Sequence, residues 1–195
     1  MNIFYRLGNN LFVNITNSCS CDCIFCIRNS RDGMNKDESL WLEREPSLNE
    51  IKAAFNMRSD LNDLDEIVFC GFGEPMERAD DVIELAHYFK SVASKPSIRL
   101  NTNGLVRLIH PDFDITKLSI FNTISISLNA DDTSEYTRVT RPRFGEKSYG
   151  EMLSFAEDAK KFANIILTVV GILEPHRIEN CRKIADNLGT TFRVR

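Results

Sequence analysis

Short β-rich runs alternate with helical stripes along the 195 residues, and that alternation limits the possible folds more than any other feature. The β-rich runs lie at residues 11–16, 66–70, 98–102, 123–128, 165–170 and 191–194. Between them, SLNEIKAAFNM sets Ser47 and Glu50 at capping-box spacing, with Pro46 just ahead. Residues 80–93 carry Val82, Leu85, Phe89 and Val92 on one stripe. SYGEMLSFAEDAKKFA repeats the capping-box spacing with Ser148 and Glu151, and aligns Met152, Phe155, Ala159 and Phe162. Ile178, Cys181, Ile184, Ala185 and Leu188 stripe a last helix, which Gly189 ends. Alternating units of this length specify an α/β fold with a parallel sheet and right-handed crossovers. They fit a partial (β/α)6 TIM-like barrel formed as a single domain over residues 1–195, with a doubly wound open sheet as the competing arrangement.

The strands carry a second pattern. A parallel strand packed on both faces should be apolar throughout. Here TISISL alternates, with Ile124, Ile126 and Leu128 on one face and Ser125, Ser127 and the following Asn129 on the other. IRLNTN sets Ile98, Leu100 and Thr102 against Arg99, Asn101 and Asn103, and LFVNIT sets Val13 and Ile15 against Asn14 and Thr16. Helices must cover the outer face of a parallel sheet, so the apolar set belongs there and the polar set lines a lumen. Buried polar groups need partners, so a lumen of Asn, Ser and Thr implies water or a polar ligand. The C-terminal mouth is where barrels of this kind place their sites.

The loop after the first of these strands carries Cys19, Cys23 and Cys26 in ITNSCSCDCIFCIRN. Three thiolates on one tight loop can hold three irons of a cubane cluster and leave the fourth iron without a protein ligand. Zinc is the alternative, because Cys21 makes a fourth thiol. Structural zinc usually joins two separated pairs, and four ligands this close together staple little. A redox pair of Cys23 and Cys26 lacks a thioredoxin-like context. Cys21 reads as a bystander, Cys181 as core on its helix stripe, and Cys70 as lining at the end of the second run. Six cysteines with no signal-peptide pattern indicate a reducing compartment, the cytoplasm, and no apolar run approaches a membrane span. A net charge of -4 gives no general attraction for nucleic acid or acidic membranes.

The loop CSCDCIFC, with Phe25 just ahead of its third ligand, resembles the cysteine signature of the radical S-adenosylmethionine (radical SAM) enzymes. The resemblance implies that Cys19, Cys23 and Cys26 bind a 4Fe–4S cluster and that the amino and carboxylate groups of SAM chelate the open iron. It further implies that an electron from the cluster cleaves SAM to methionine and a 5'-deoxyadenosyl radical, which abstracts hydrogen from a substrate. CGFGEP, with Gly71, Gly73, Glu74 and Pro75 at the end of the second strand, resembles the motif that receives the SAM amino group. Phe72 separates its two glycines, which stand adjacent in the commonest form. RLNTNG, with Asn101, Thr102 and Asn103, resembles the segment that positions SAM. SISLNA, with Ser125, Ser127 and Asn129, resembles the strand that touches ribose and carboxylate, and Gly171 in VVGILEP falls at the adenine contact.

LFVNITNSCSCDCIFCIRN, LWLEREPS, IVFCGFGEP, RLNTNGL, SISLNA, RPRFGEKSY and CRKIADNLG together are similar to the TatD family-associated radical SAM proteins. That narrower resemblance implies a minimal radical SAM core without a defined substrate, and a TatD-type metal-dependent hydrolase as a possible partner. It does not imply nuclease activity. A reductase, flavodoxin or ferredoxin would supply the electron. Arg141, among Arg138, Arg143 and Lys147, is placed to hold the SAM carboxylate or an anionic substrate, or else belongs to a solvated basic loop. The polar segment 29–45, with Met34 and Trp41, is expected to close over SAM and to be partly mobile without the cluster. A second cysteine cluster and a substrate domain after the sixth strand are not expected, so a partner or a dimer mate would cover the lower mouth. The reading from a different class is a non-enzymatic Zn- or Fe–S-binding scaffold that partners such a hydrolase.

Overall fold

A computed structural model describes residues 1–29 and 40–195. The expectations for Met34 and for residues 30–39 of the closing segment lie outside the described residues. The sheet has seven strands in the order of the sequence: β1 (Phe4–Leu7), β2 (Asn10–Val13), β3 (Glu66–Phe69), β4 (Ser97–Thr102), β5 (Thr123–Ser127), β6 (Asn164–Val169) and β7 (Thr191–Val194). From β2 to β7 every pairing is parallel. A doubly wound sheet reverses its strand order at a switch point. This sheet never reverses, so all crossovers turn the same way and the helices cover one face, as in a partial barrel.

Two departures from the sequence pattern concern strands. First, β1 is an additional strand and runs antiparallel to β2, so the sheet is not wholly parallel. Leu7 pairs with Asn10 across a two-residue turn that opens on Gly8 at φ +59, a conformation glycine adopts without penalty. Second, β2 stops at Val13 instead of reaching Thr16. Asn14 Nδ2 donates to the Asn2 and Leu40 carbonyls, at 3.2 and 2.7 Å, and the chain peels away from the sheet into the cysteine loop.

The helices are α1 (Leu48–Asn56), α2 (Ala79–Val92), α3 (Val106–Ile109), α4 (Thr133–Thr140), α5 (Lys147–Ala159) and α6 (Pro175–Asn187). The Ser47–Glu50 capping box forms, with both reciprocal hydrogen bonds, and such a cap stabilises a helix by about 1 kcal/mol. The box expected at Ser148 and Glu151 does not form. Gly145, at φ +65, starts the turn earlier, so Ser148 is already helical and fully buried, while Glu151 is drawn to Arg107 Nε at 2.6 Å. The sequence reading did not anticipate α4, which Asp132 caps by accepting from the Glu135 N–H at 2.8 Å.

The apolar strand faces point to the helices as expected. Ile67, Phe69, Ile98, Leu100, Ile124, Ile126, Leu128 and Leu167 are fully buried with Phe55, Phe89 and Phe155. Phe89 anchors this core, with its ring 4.2 Å from Phe55 and 5.8 Å from Phe69. On the opposite face, Arg99 pairs with Glu66 at 2.8 Å and closes the lower end of the lumen. The upper end is left to Asn101, Ser127 and the loops. No helix among the described residues is long and apolar enough to cross a membrane.

Candidate functional site

The cysteine loop leaves β2 and is held from both sides. On one side, Asn17 mimics a strand: its Nδ2 donates to the Leu42 carbonyl at 2.7 Å and its Oδ1 accepts from the Leu42 N–H at 3.1 Å. Thr16 donates its hydroxyl to Glu45 nearby. On the other side, the N–H groups of Asp22 and Ile24 donate to the carbonyls of Thr140 and Val139 at 3.0 and 2.9 Å, and Ser20 accepts from the Arg143 N–H at 2.8 Å. The last carbonyls of α4 lack helical partners, and the cysteine loop satisfies them. Cys21 and Pro142 form an isolated bridge at this seam.

This anchoring sets the loop over a cavity of about 430 Å³ at the C-terminal ends of the strands, a size usual for small-molecule sites. Of the residues singled out from sequence, Cys19, Cys23, Phe25, Cys26, Gly71, Gly73, Glu74, Pro75, Asn101, Asn103, Ser127 and Asn129 line it. Three others stand outside the lining. Ser125 is buried deeper along β5 than Ser127. Arg141 points outward, its side chain 61% exposed, with Asp22 at 3.7 Å. Gly171 is tied to Arg195, donating its N–H to the Arg195 carbonyl at 2.9 Å.

Glu74 is 5% exposed and fully committed. Its Oε1 accepts from the Thr102 hydroxyl at 2.6 Å and from the Met76 N–H at 3.1 Å, and its Oε2 accepts from the Asn103 N–H at 2.7 Å. Burial pushes its pKa up to about 7 against these stabilising bonds. The glycines of the same segment pack against protein. A Cβ on Gly73 would stand 2.3 Å from the Thr16 carbonyl oxygen and 2.6 Å from that of Ser18, and one on Gly71 would strike the Asn14 side chain. The glycines therefore let the β3 loop press against the cysteine loop, and Glu74 N–H donates to the Ser18 carbonyl at 2.8 Å.

Burial pushes the Cys19 thiol up to about 12. The Cys21 thiol donates to Cys23, so Cys23 titrates below its usual value and Cys21 above it. Among the described residues no three His, Cys, Asp or Glu side chains are gathered tightly enough to hold a single metal ion. Cys19, Cys23 and Cys26 nonetheless face one cavity from one loop, as three ligands of a cluster would. The orphaned acceptors also suit a polar ligand beside it: Asn101 Oδ1 and Asn129 Oδ1 are buried without hydrogen-bond partners. Asn129 sits at φ +56, a conformation Asn tolerates better than most residues.

Thr102, expected with Asn101 and Asn103 in the segment that positions SAM, lines the cavity too, although alternation sets it with the apolar face, and its hydroxyl reaches Glu74. The cavity also takes in residues that the sequence pattern did not assign to a site. Tyr136 and Thr140 come from the unforeseen α4. Arg195 lines the cavity and donates Nη2 to the Ser127 hydroxyl at 3.1 Å. One signal could have found Arg195, and Val170 with it. Like Cys70 and Asn103, which the sequence already placed at the mouth, each is the first residue past the C-terminal end of a strand, the position that faces a barrel mouth.

The family model of the radical SAM superfamily matches residues 13–183. No curated protein matches the sequence. Among solved structures, TYW1 with a lysine–pyruvate adduct bound aligns with a TM-score of 0.61 at 17% identity, over 96% of this chain and 65% of that one. Native anSMEcpe with bound AdoMet aligns with a TM-score of 0.57 at 17% identity, over 94% of this chain and 50% of that one. This chain thus spans less than two thirds of the length of these neighbours, and at such identities the likeness is one of fold. The chain belongs to the radical SAM superfamily, whose enzymes bind a 4Fe–4S cluster and S-adenosylmethionine.

Proposed function

We propose that this protein is a radical SAM enzyme in which Cys19, Cys23 and Cys26 hold the cluster and the adjoining polar wall holds SAM. The observation that carries the reading is the convergence of these three thiols on one cavity with Glu74, Asn101, Ser127 and Asn129. When bound, the cluster and SAM supply a 5'-deoxyadenosyl radical that abstracts hydrogen from a substrate.

The chain's own residues bind, orient and shield. Asn101 Oδ1 and Asn129 Oδ1 are buried acceptors that await donors, and ribose hydroxyls or an ammonium group are donors of that kind. Glu74 adds negative charge near the place an ammonium would take, while its hydrogen bonds fix the β3 and β4 loops together. Phe25 and Pro75 contribute apolar wall. Ser125, behind Ser127, supports the strand rather than the ligand, and Arg141 and Gly171 act through the loops they end. The whole of residues 1–195 works as one domain.

Within the superfamily, the motif set from the cysteine loop to CRKIADNLG supports a place beside the TatD family-associated proteins, with a TatD-type hydrolase as partner and an acidic one-electron carrier such as a flavodoxin or ferredoxin as donor. Free thiols throughout suit the cytoplasm. Anaerobic reconstitution with iron and sulfide, followed by reduction in the presence of SAM, tests the reading. Release of methionine and 5'-deoxyadenosine by the wild type, and its loss in Cys23→Ala, is the expected result. Cluster-loaded protein that binds SAM but never cleaves it would leave only a binding module.

A further inference from the structure

Arg28 is the cation of the cysteine loop to which no family motif gives a role. Its Nε donates to Cys26 Sγ at 3.3 Å, its Nη1 to the Asn17 carbonyl at 3.2 Å, and its Nη2 to the Cys21 carbonyl at 3.5 Å. The guanidinium carbon lies 5.8 Å from the centre of the Trp41 ring, and Trp41 packs edge-on against Phe72 at 5.4 Å. The rigid planar fork of the guanidinium meets two carbonyls and a sulfur at once. The guanidinium is therefore fixed in the loop, with one N–H aimed at a sulfur. Its hydrogen-bond partners are two neutral carbonyls and the sulfur itself, and the Asp22 carboxylate that also acts on it is exposed to water, which screens that attraction.

That position has a consequence if Cys26 is a cluster ligand, and the inference rests on that reading. Hydrogen bonds to ligand sulfurs and nearby charge are the protein's means of setting the reduction potential of an iron–sulfur centre. We propose that Arg28 tunes the cluster, favouring its reduced and more negative state through the N–H bond to Cys26 and through its fixed charge. One electron enters from an external carrier. No bond to Arg28 forms or breaks, and its proton stays on Nε. Trp41 and Phe72 keep the guanidinium seated, which links the β3 loop and the segment after residue 39 to the redox property of the cysteine loop. The role differs from that of the superfamily's cysteine ligands, because Arg28 touches a ligand sulfur and no iron.

The test is a potentiometric titration of the anaerobically reconstituted full chain without SAM, followed by electron paramagnetic resonance of the reduced cluster. Arg28→Gln should move the midpoint to more negative values by about tenfold in the reduction equilibrium, which is about 59 mV for one electron. Arg28→Lys, which keeps the charge but not the fork, should recover part of that shift. A midpoint for Arg28→Gln equal to the wild type's at equal iron content, or moved in the positive direction, overturns the proposal. If Arg28→Gln takes up no iron, Trp41→Leu carries the test: a smaller shift of the same sign supports it, and an unmoved midpoint overturns it. A wild type that assembles no 4Fe–4S cluster overturns the functional reading itself, and that failure is visible before any variant is measured.

Discussion

Glu74 and Thr102 join the ends of two neighbouring strands, with the Thr102 hydroxyl donating to Glu74 Oε1 at 2.6 Å inside the protein. The carboxylate also accepts from two backbone N–H groups, yet burial outweighs these bonds and leaves its pKa at about 7 against an ordinary 4.5. The folded protein therefore binds this proton more tightly than the unfolded chain does. The resulting stability is fully present below about pH 4.5 and is lost as the pH rises through 7. Urea unfolding of the metal-free protein should show wild type losing up to about 3 kcal/mol across that window relative to Glu74→Gln. A Glu74→Gln profile parallel to the wild type's would show that the carboxyl is not desolvated as its burial requires.

The four cysteines of the loop should separate into two classes. All four line the cavity, but Cys19, Cys23 and Cys26 are half-buried there, whereas Cys21 is buried, packed into the core and bridged to Pro142. Cys21→Ala should keep the wild-type iron content and cost about 1 kcal/mol of stability, as the loss of a small buried side chain does. Cys19→Ala, Cys23→Ala and Cys26→Ala should each lose most of the iron and the broad absorbance of the cluster. Equal iron loss in Cys21→Ala would instead favour a four-thiol site. Iron analysis and visible spectra of the four variants decide between these outcomes.

Gly73 is a packing residue before it is a ligand-binding one, and its neighbours are rigid. An added Cβ meets the carbonyl oxygens of Thr16 and Ser18 at 2.3 and 2.6 Å, so backbone must move and the Glu74 N–H bond to Ser18 is strained. Gly73→Ala should cost about 3 kcal/mol, the upper range for overpacking, and lower iron incorporation with it. Gly150 is the contrast. It lies inside α5 with open space where a Cβ would be, so Gly150→Ala should stabilise by up to about 1 kcal/mol with no effect on the site. Thermal or urea unfolding of the pair checks both signs.

Much of this architecture was legible because it follows from periodicity. Ile124, Ile126 and Leu128 had to face helices, and the polar residues between them had to face something polar. The hairpin that adds β1 was also written in the sequence, as FYRL and NLFV on either side of Gly8 and Asn9, but a short strand at a terminus gives little alternation to count. Helix α4 escaped because its eight residues are polar overall, and its start depends on the Asp132 cap rather than on an apolar stripe. The site was legible where a motif fixes chemistry, as at Cys19, Cys23 and Cys26. It was illegible where the role comes from a distant contact. Nothing local to Thr102 reports that Glu74 lies across from it, and nothing near Arg28 reports Trp41. The failed box at Ser148 and Glu151 has the same cause, since the tertiary partner Arg107 outcompetes the local cap.

Arg141 ends α4 in the left-handed region, at φ +44, and its backbone geometry explains its place better than its charge does. Its own N–H donates to the Thr137 carbonyl at 3.0 Å, and its carbonyl lies 3.4 Å from the Asp22 N–H of the cysteine loop. The guanidinium faces solvent, and its contact with Asp22 at 3.7 Å joins two exposed groups, a pairing that contributes little in water. An L-residue in this conformation carries about 1–2 kcal/mol of strain, from which the extra flexibility of an unfolded glycine subtracts about 0.5–1 kcal/mol. Arg141→Gly should therefore stabilise the protein by about 0.5–1 kcal/mol, while the SAM affinity of the reconstituted protein stays within twofold of wild type. A large loss of SAM affinity in calorimetric titration would mean that the side chain turns inward to the ligand. Unchanged affinity with raised stability would assign Arg141 to the helix end that holds the cysteine loop in place.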